Sequence, residues 1–141
     1  MSAAGQAIST ARPETFLAFD VGVKRTGVAY ASRLLGRAEP QGSIQADGDR
    51  RWPLVARHID NWQPQALVVG VPFHPDGAEH DNTRFARRFA RELRQRFGLP
   101  VFEVDERYST TEAMDQGAKD ADAASACIIL EQFLRNDLAT P

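Results

Sequence analysis

The stretch Phe19–Ser32, FDVGVKRTGVAYAS, carries an aspartate out of an apolar run, sets two glycines five residues apart and returns to apolar residues. Upstream, Phe16 to Val21 alternates Phe16, Ala18 and Asp20 on one face with Leu17, Phe19 and Val21 on the other. Both faces are mostly apolar, the mark of a central strand covered on two sides. Gly22 frees the chain to turn. Gly27 to Ser32, with Val28 and Tyr30, then reads as a second strand close enough to pair with the first as a hairpin. By itself the spacing D-x-G-x-x-x-x-G-x-A leaves Asp20 as a turn residue, a neighbour of bound phosphate or a metal ligand.

Working outward, Ala38 to Ala46 predicts a weaker third strand. From Asp49 to Trp62 the period changes: Val55, Ile59 and Trp62 fall at i, i+4 and i+7, with Pro53 in a first turn, and a helix is expected. The run ALVVGV from Ala66 to Val71 predicts a buried strand that meets a loop containing PDG. Between Glu79 and Phe97, Phe85, Phe89, Leu93 and Phe97 recur at four-residue steps with arginines on the other side, a helix that Gly98 and Pro100 stop. That aromatic stripe reads as core, not as a base-stacking platform. A short strand, Val101 to Val104, ends in DER. Ser109 and Glu112 form a capping box for a helix starting at Thr110, and a last helix spans Ala121 to Leu134 with Cys127 and Leu130 on its apolar side.

A hairpin meander followed by alternating helices and strands predicts one α/β domain, a mixed five-stranded sheet flanked by helices. Its expected bounds are 15–135, with a flexible tail over 1–14 and a short one over 136–141. A chain of 141 residues buries about 68–70% of its unfolded surface, enough for a core without staples. The single Cys127 excludes an intrachain disulfide, and His58, His74 and His80 share no metal-like spacing, so a reducing, cytoplasmic setting fits. No run approaches the roughly 18 apolar residues of a membrane span, and MSAAGQAISTARP lacks the apolar centre of a signal peptide. No membrane partner is expected.

With 17 basic and 19 acidic residues, the formal charge of −2 gives no overall attraction to nucleic acid, so a polyanion would need a local patch. Arg84 to Arg96 holds six arginines against Glu92 alone, which reads either as a solvated helix face or as a phosphate-contacting one.

In sheets of this kind, ligands collect outside the carboxyl ends of the strands. Asp20 and Glu106 end strands, and Asp122 opens the last helix. Carboxylates gathered in a cleft raise one another's pKa unless a cation compensates, and hard divalent ions suit oxygen ligands. Lys24 and Arg25 are placed to reach phosphate oxygens, and Gly27 to clear space for a phosphate or sugar. Each acid also has a plainer reading: a turn for Asp20, a helix cap for Asp122, an exposed charge cluster for Asp105-Glu106-Arg107. Asp105 is the weaker ligand candidate of its pair, because neighbouring strand residues point to opposite faces.

Four segments in order, FDVGVKRTGVA, VVGVPFHPDG with FARRFARELRQRFGLPV, VDERYSTTEA and DAASACIILEQFL, resemble the YqgF/RuvX family of pre-16S rRNA nucleases, relatives of the Holliday-junction resolvase RuvC. The resemblance covers Phe16 to Leu134. It implies an RNase H-like fold and an acidic Mg²⁺ or Mn²⁺ site that hydrolyses nucleic acid phosphodiesters, processing the 5′ end of precursor 16S rRNA. Asp20 matches the first-strand aspartate, Glu106 lies in the DER segment and Asp122 matches the aspartate opening the final helix; these are the implied catalytic and metal-binding residues. Lys24, Arg25 and Arg107 would offset phosphate charge, while Arg84, Arg88 and Arg91 would guide the nucleic acid backbone.

Related proteins imply a monomer or homodimer. Two departures stand out: the strand VVGVP lacks the acid that RuvC-like resolvases place there, and Thr26 stands where an apolar residue is usual. The alternatives are a Holliday-junction DNA resolvase and a non-catalytic nucleic-acid-binding or transcription-associated factor. A third, the actin-like or sugar-kinase nucleotide module, needs two lobes, and this chain has room for one.

Overall fold

The computed structural model describes residues 12–79, 81–106 and 120–139. Strand β1 (Thr15–Val21) is the middle of a five-stranded sheet. Phe16, Leu17, Ala18 and Phe19 are all fully buried, as the two-sided apolar alternation requires. β2 (Thr26–Ser32) pairs antiparallel with β1, placing Asp20 opposite Gly27, and β3 (Ala38–Ile44) pairs antiparallel with β2 at the sheet edge. Pro40 and Gly42 fit that edge position, where a missing ladder bond costs least. On the other side, β4 (Ala66–Pro72) runs parallel to β1 and β5 (Val101–Glu106) parallel to β4, giving the order β3-β2-β1-β4-β5.

The two faces of the sheet carry separate cores. Leu17, Phe19, Val21, Leu67 and Val69 pack against helices α1 (Arg51–Trp62) and α2 (Asp81–Phe97), chiefly Trp52, Val55, Phe89 and Leu93. Trp52 and Phe89 stack with centroids 5.1 Å apart. The opposite face, Phe16, Ala18, Ala29, Ala31 and Val68, packs against α3 (Ala121–Ala139) through Ala126, Ile129, Leu130 and Phe133. Here the sheet presents mostly small residues, so α3 approaches closely, with half-buried Cys127 at the margin of its core.

Several boundaries differ from the sequence reading, each for a local reason. A 3₁₀ turn over Gly48–Arg50 precedes α1, which begins at Arg51 instead of Asp49. β5 continues past Val104 because Asp105 and Glu106 stay in register with Val71 and Pro72. Helix α3 continues to Ala139, through most of the 136–141 stretch expected as a tail. His58, on α1, is half-buried. Arg107, His80 and the Ser109/Glu112 capping box lie outside the described residues. No helix among the described residues is long and apolar enough to cross a membrane.

Candidate active site

Strand alternation places Asp20 on the same face as Phe16 and Ala18, Gly27 with Ala29 and Ala31, Gly70 with Ala66 and Val68, and Glu106 with Val104. All four therefore face α3. Two glycines let the helix come down onto them. A Cβ on Gly27 would overlap the Asp122 carbonyl and crowd the Ala123 amide of the first α3 turn. Gly27 thus makes room for the protein's own helix, which corrects the expectation that it clears space for a phosphate or sugar. At Gly70 a Cβ would collide with the Ile129 side chain and stand 2.5 Å from Glu106 Oε2. The Glu106 carboxylate, on β5, therefore lies over the glycine of β4, and Glu106 is only 6% exposed. Asp105, its neighbour, points to the other side and is exposed.

Asp122 had two readings, cap and ligand. The capping role belongs to Asp120, whose Oδ1 accepts the Ala123 amide at 3.0 Å and the Ser43 hydroxyl at 2.7 Å. Asp122, in the first helical turn, is left to face the site. Its Oδ2 pairs with Arg25 Nε at 3.2 Å and lies 3.4 Å from Ser43 Oγ. One turn along the same helix face, buried Ser125 donates a hydrogen bond to the Asp20 carboxylate.

Ser43, Asp120 and Ser125 were not singled out from the sequence. The i, i+3 spacing of Asp122 and Ser125 and the position of Asp120 ahead of the helix were available signals. Ser43 offered none, since its partners lie 77 and 79 residues away.

Electrostatics agree with this grouping. The Asp20 carboxyl is pushed from 3.8 to about 7, first by burial and then by the negative charges of Glu106 and Asp122, against which the Ser125 hydrogen bond works. An acid so displaced is one whose ionised form lacks a counter-charge. No three acidic, histidine or cysteine side chains among the described residues are already closed around one metal position. The donor chemistry nevertheless fits a hard divalent ion: all three groups offer carboxylate oxygen, and Asp20 is destabilised in its charged form. Beside the acids, Gly22, Val23, Lys24, Arg25, Gln45 and Asp122 line an open groove of about 480 Å³.

The arginine helix does not converge on this cluster, because α2 packs on the sheet face opposite α3. Much of its charge is matched locally. Arg84 and Arg87 pair with Glu79 at 3.7 and 3.0 Å, Arg87 and Arg94 with Glu103 at 3.6 and 3.5 Å, and Arg96 with Glu92 at 3.4 Å. Arg88 and Arg91 are exposed. The Phe89 and Leu93 side chains are buried core, as expected of that stripe.

A family profile described as "RuvX: Holliday junction resolvase" matches residues 14–136. A protein of Albidiferax ferrireducens named "Putative pre-16S rRNA nuclease" is 67% identical over 123 residues, covering 87% of this chain and 79% of its own. One of the same name from a Polaromonas species is 63% identical over 136 residues, covering 96% and 99%. Among solved structures, Thermus thermophilus RuvC in complex with a Holliday junction substrate superimposes with a TM-score of 0.54 at 14% identity, over 89% of this chain and 97% of that one. At that identity the likeness speaks for the fold, which is the RNase H-like fold of RuvC. With the profile spanning nearly the whole chain and two relatives above 60% identity, the protein belongs to the RuvX family.

Proposed function

We propose that this protein is a nuclease that hydrolyses phosphodiesters of precursor 16S rRNA at its 5′ end, in the cytoplasm, using Mg²⁺ or Mn²⁺. The observation that carries the reading is the gathering of Asp20, Glu106 and Asp122 from β1, β5 and the first turn of α3, with the Asp20 carboxyl raised to about 7 by burial and by the other two. The names of the relatives supply the substrate.

Asp20, Glu106 and Asp122 would hold the metal, which when bound supplies positive charge to the oxygens that gain negative charge during hydrolysis. The chain's own residues do the rest. Ser125 orients the Asp20 carboxylate, and Ser43 with Asp120 fixes the start of α3 so that Asp122 faces the site. Lys24 and Arg25, on the rim of the groove, take up the phosphate charge as RNA enters. Arg107, by its place in the DER motif, serves the same end. Arg84, Arg88 and Arg91 lie on the far face of the sheet and serve RNA that extends beyond the cleft.

The test is cleavage of an end-labelled precursor 16S rRNA leader by the wild type and Asp20→Asn, in EDTA and after Mg²⁺ or Mn²⁺ is restored, with a four-way DNA junction alongside. Metal-dependent cutting of the RNA that the substitution abolishes is expected. Full activity in Asp20→Asn would overturn the site. Cutting of the junction alone would make the chain a resolvase, and binding without cutting under every condition would make it a non-catalytic factor.

A further inference from the structure

Arg51 is a charged residue only 3% exposed, buried on the sheet face away from the acids. Each of its three nitrogens has a target. Nη1 donates to the Gly22 carbonyl at 3.3 Å and to the Thr26 hydroxyl at 3.3 Å, Nη2 to the Val23 carbonyl at 3.1 Å, and Nε to the Gly48 carbonyl at 3.2 Å. The guanidinium also lies over the rings of Phe85 and Phe89, 5.2 and 5.7 Å from their centroids. Burial works against its charge, and Asp47 and Glu92 work in its favour.

The residues it grips are the turn between β1 and β2. That turn starts two residues after Asp20, carries Lys24 and Arg25, and closes on itself through a 2.8 Å bond from the Gly22 amide to the Arg25 carbonyl. A glycine-containing turn has wide conformational freedom of its own, and a single 2.8 Å bond does not fix its orientation against the sheet. The guanidinium fork does, by tying two of its carbonyls to the start of α1 and to the α2 aromatics. Thr26, fully buried, gains its purpose here: where an apolar side chain is usual, its hydroxyl accepts from Arg51.

Resting on the reading of Asp20 as part of a nuclease site, we propose that Arg51, with Thr26 as its partner, is a positioning residue that sets the placement of Asp20, Lys24 and Arg25 from behind the sheet. Groups held this way lose rate, more than binding, when released; a displacement near 1 Å costs on the order of 100-fold.

The experiment compares Arg51→Met, Arg51→Lys and Thr26→Val with the wild type and Asp20→Asn, well below each melting temperature. Two readouts are taken: hydrogen exchange of the Gly22 amide, and kcat and KM for precursor 16S rRNA cleavage. Expected are exchange at Gly22 faster by about tenfold or more in Arg51→Met, kcat lower by roughly 10- to 100-fold with KM changed by less than about threefold, partial rescue by Arg51→Lys, and a smaller effect of the same kind in Thr26→Val. Should Arg51→Met fail to fold, the lysine and valine variants carry both readouts. Unchanged Gly22 exchange, or faster exchange with unaltered kcat while Asp20→Asn is inactive, overturns the positioning role. Retained cleavage in Asp20→Asn instead marks the failure of the underlying site, and the positioning role falls with it.

Discussion

Arg25 Nε stands 3.2 Å from Asp122 Oδ2 at the mouth of the acidic cluster, so a cationic side chain already occupies one carboxylate of the proposed metal set. An ion bound through that oxygen would compete with the arginine, which on release is free for phosphate. Arg25 is 61% exposed, so the pair adds at most about 1 kcal/mol to stability. Arg25→Gln is therefore expected to melt near the wild-type temperature, to bind Mn²⁺ more tightly by calorimetry, and to bind RNA more weakly. The slope of log affinity against log salt should fall by about 0.7 to 0.9, the loss of one phosphate contact. Weaker Mn²⁺ binding in the variant would show that Arg25 supports the metal site instead of competing for it.

Asp20 ties stability to pH with a definite sign. Its carboxyl titrates near 3.8 when unfolded and near 7 when folded, so the folded state holds the extra proton between those values. That contribution is fully present below 3.8 and is lost as pH rises to about 7. Metal-free Asp20→Asn is expected to be more stable than the wild type by a few kcal/mol, to order of magnitude, at pH 8, with a smaller advantage at pH 5. Thermal melts in EDTA across this range check it, and an advantage that does not grow with pH would refute the burial argument.

Because metal must displace that proton, Mn²⁺ affinity is expected to rise about tenfold per pH unit on the acid side of the Asp20 titration and to level off above about 7. Titration of Mn²⁺ into the wild type at several pH values, with Asp20→Asn as reference, measures this directly. A flat profile would show that Asp20 is not among the ligands.

Gly27→Ala sets a methyl group against the Asp122 carbonyl, a backbone atom that no rotamer change can move. The expected loss is about 3 kcal/mol, at the upper end of overpacking costs, read from denaturant melts. Cleavage should fall too at temperatures where the variant remains folded, since α3 carries Asp122. Wild-type stability would mean that α3 sits further from the sheet.

Asp120 and Asp122 separate stability from chemistry. Asp120→Ala removes a helix cap and a partner of Ser43 and is expected to cost about 1 kcal/mol and, by loosening the start of α3, to lower activity in part without abolishing it. Asp122→Asn is expected to abolish activity at little cost in stability. Melting temperature and cleavage rate measured on both variants settle the division of roles, which would be wrong if both lost activity equally.

The parts of this fold legible in the sequence are those where period and punctuation agree. β1 was readable because Phe16 to Val21 is apolar on both faces, and α2 because its aromatic stripe keeps a four-residue step up to Gly98. The placement of the three acids, on β1, at the end of β5 and in the first turn of α3, was readable through their motifs. What escaped depends on partners distant in the chain. Arg51 sits in a charged run, DRRW, with no local mark of burial; its burial follows from the carbonyls of Gly22 and Val23, 29 and 28 residues earlier. Asp120 and Asp122 both suit a helix start, and only the approach of Ser43 and Arg25 tells them apart. Gly27 looked like an opening for substrate because the sequence does not say that α3 fills it.

The crowding at Gly70 gives a reason for the missing acid on β4. A Cβ there would stand 2.5 Å from the Glu106 carboxylate and against Ile129, so any side chain at this position must move both of their ends. The resemblance to RuvC-like resolvases implies an acid on this strand, whereas in this chain the Glu106 carboxylate reaches over Gly70 from β5. In the present packing a side chain at position 70 and the Glu106 carboxylate compete for one space. Gly70→Asp alone would set two carboxylates against each other and push the Glu106 and Ile129 side chains from their present places.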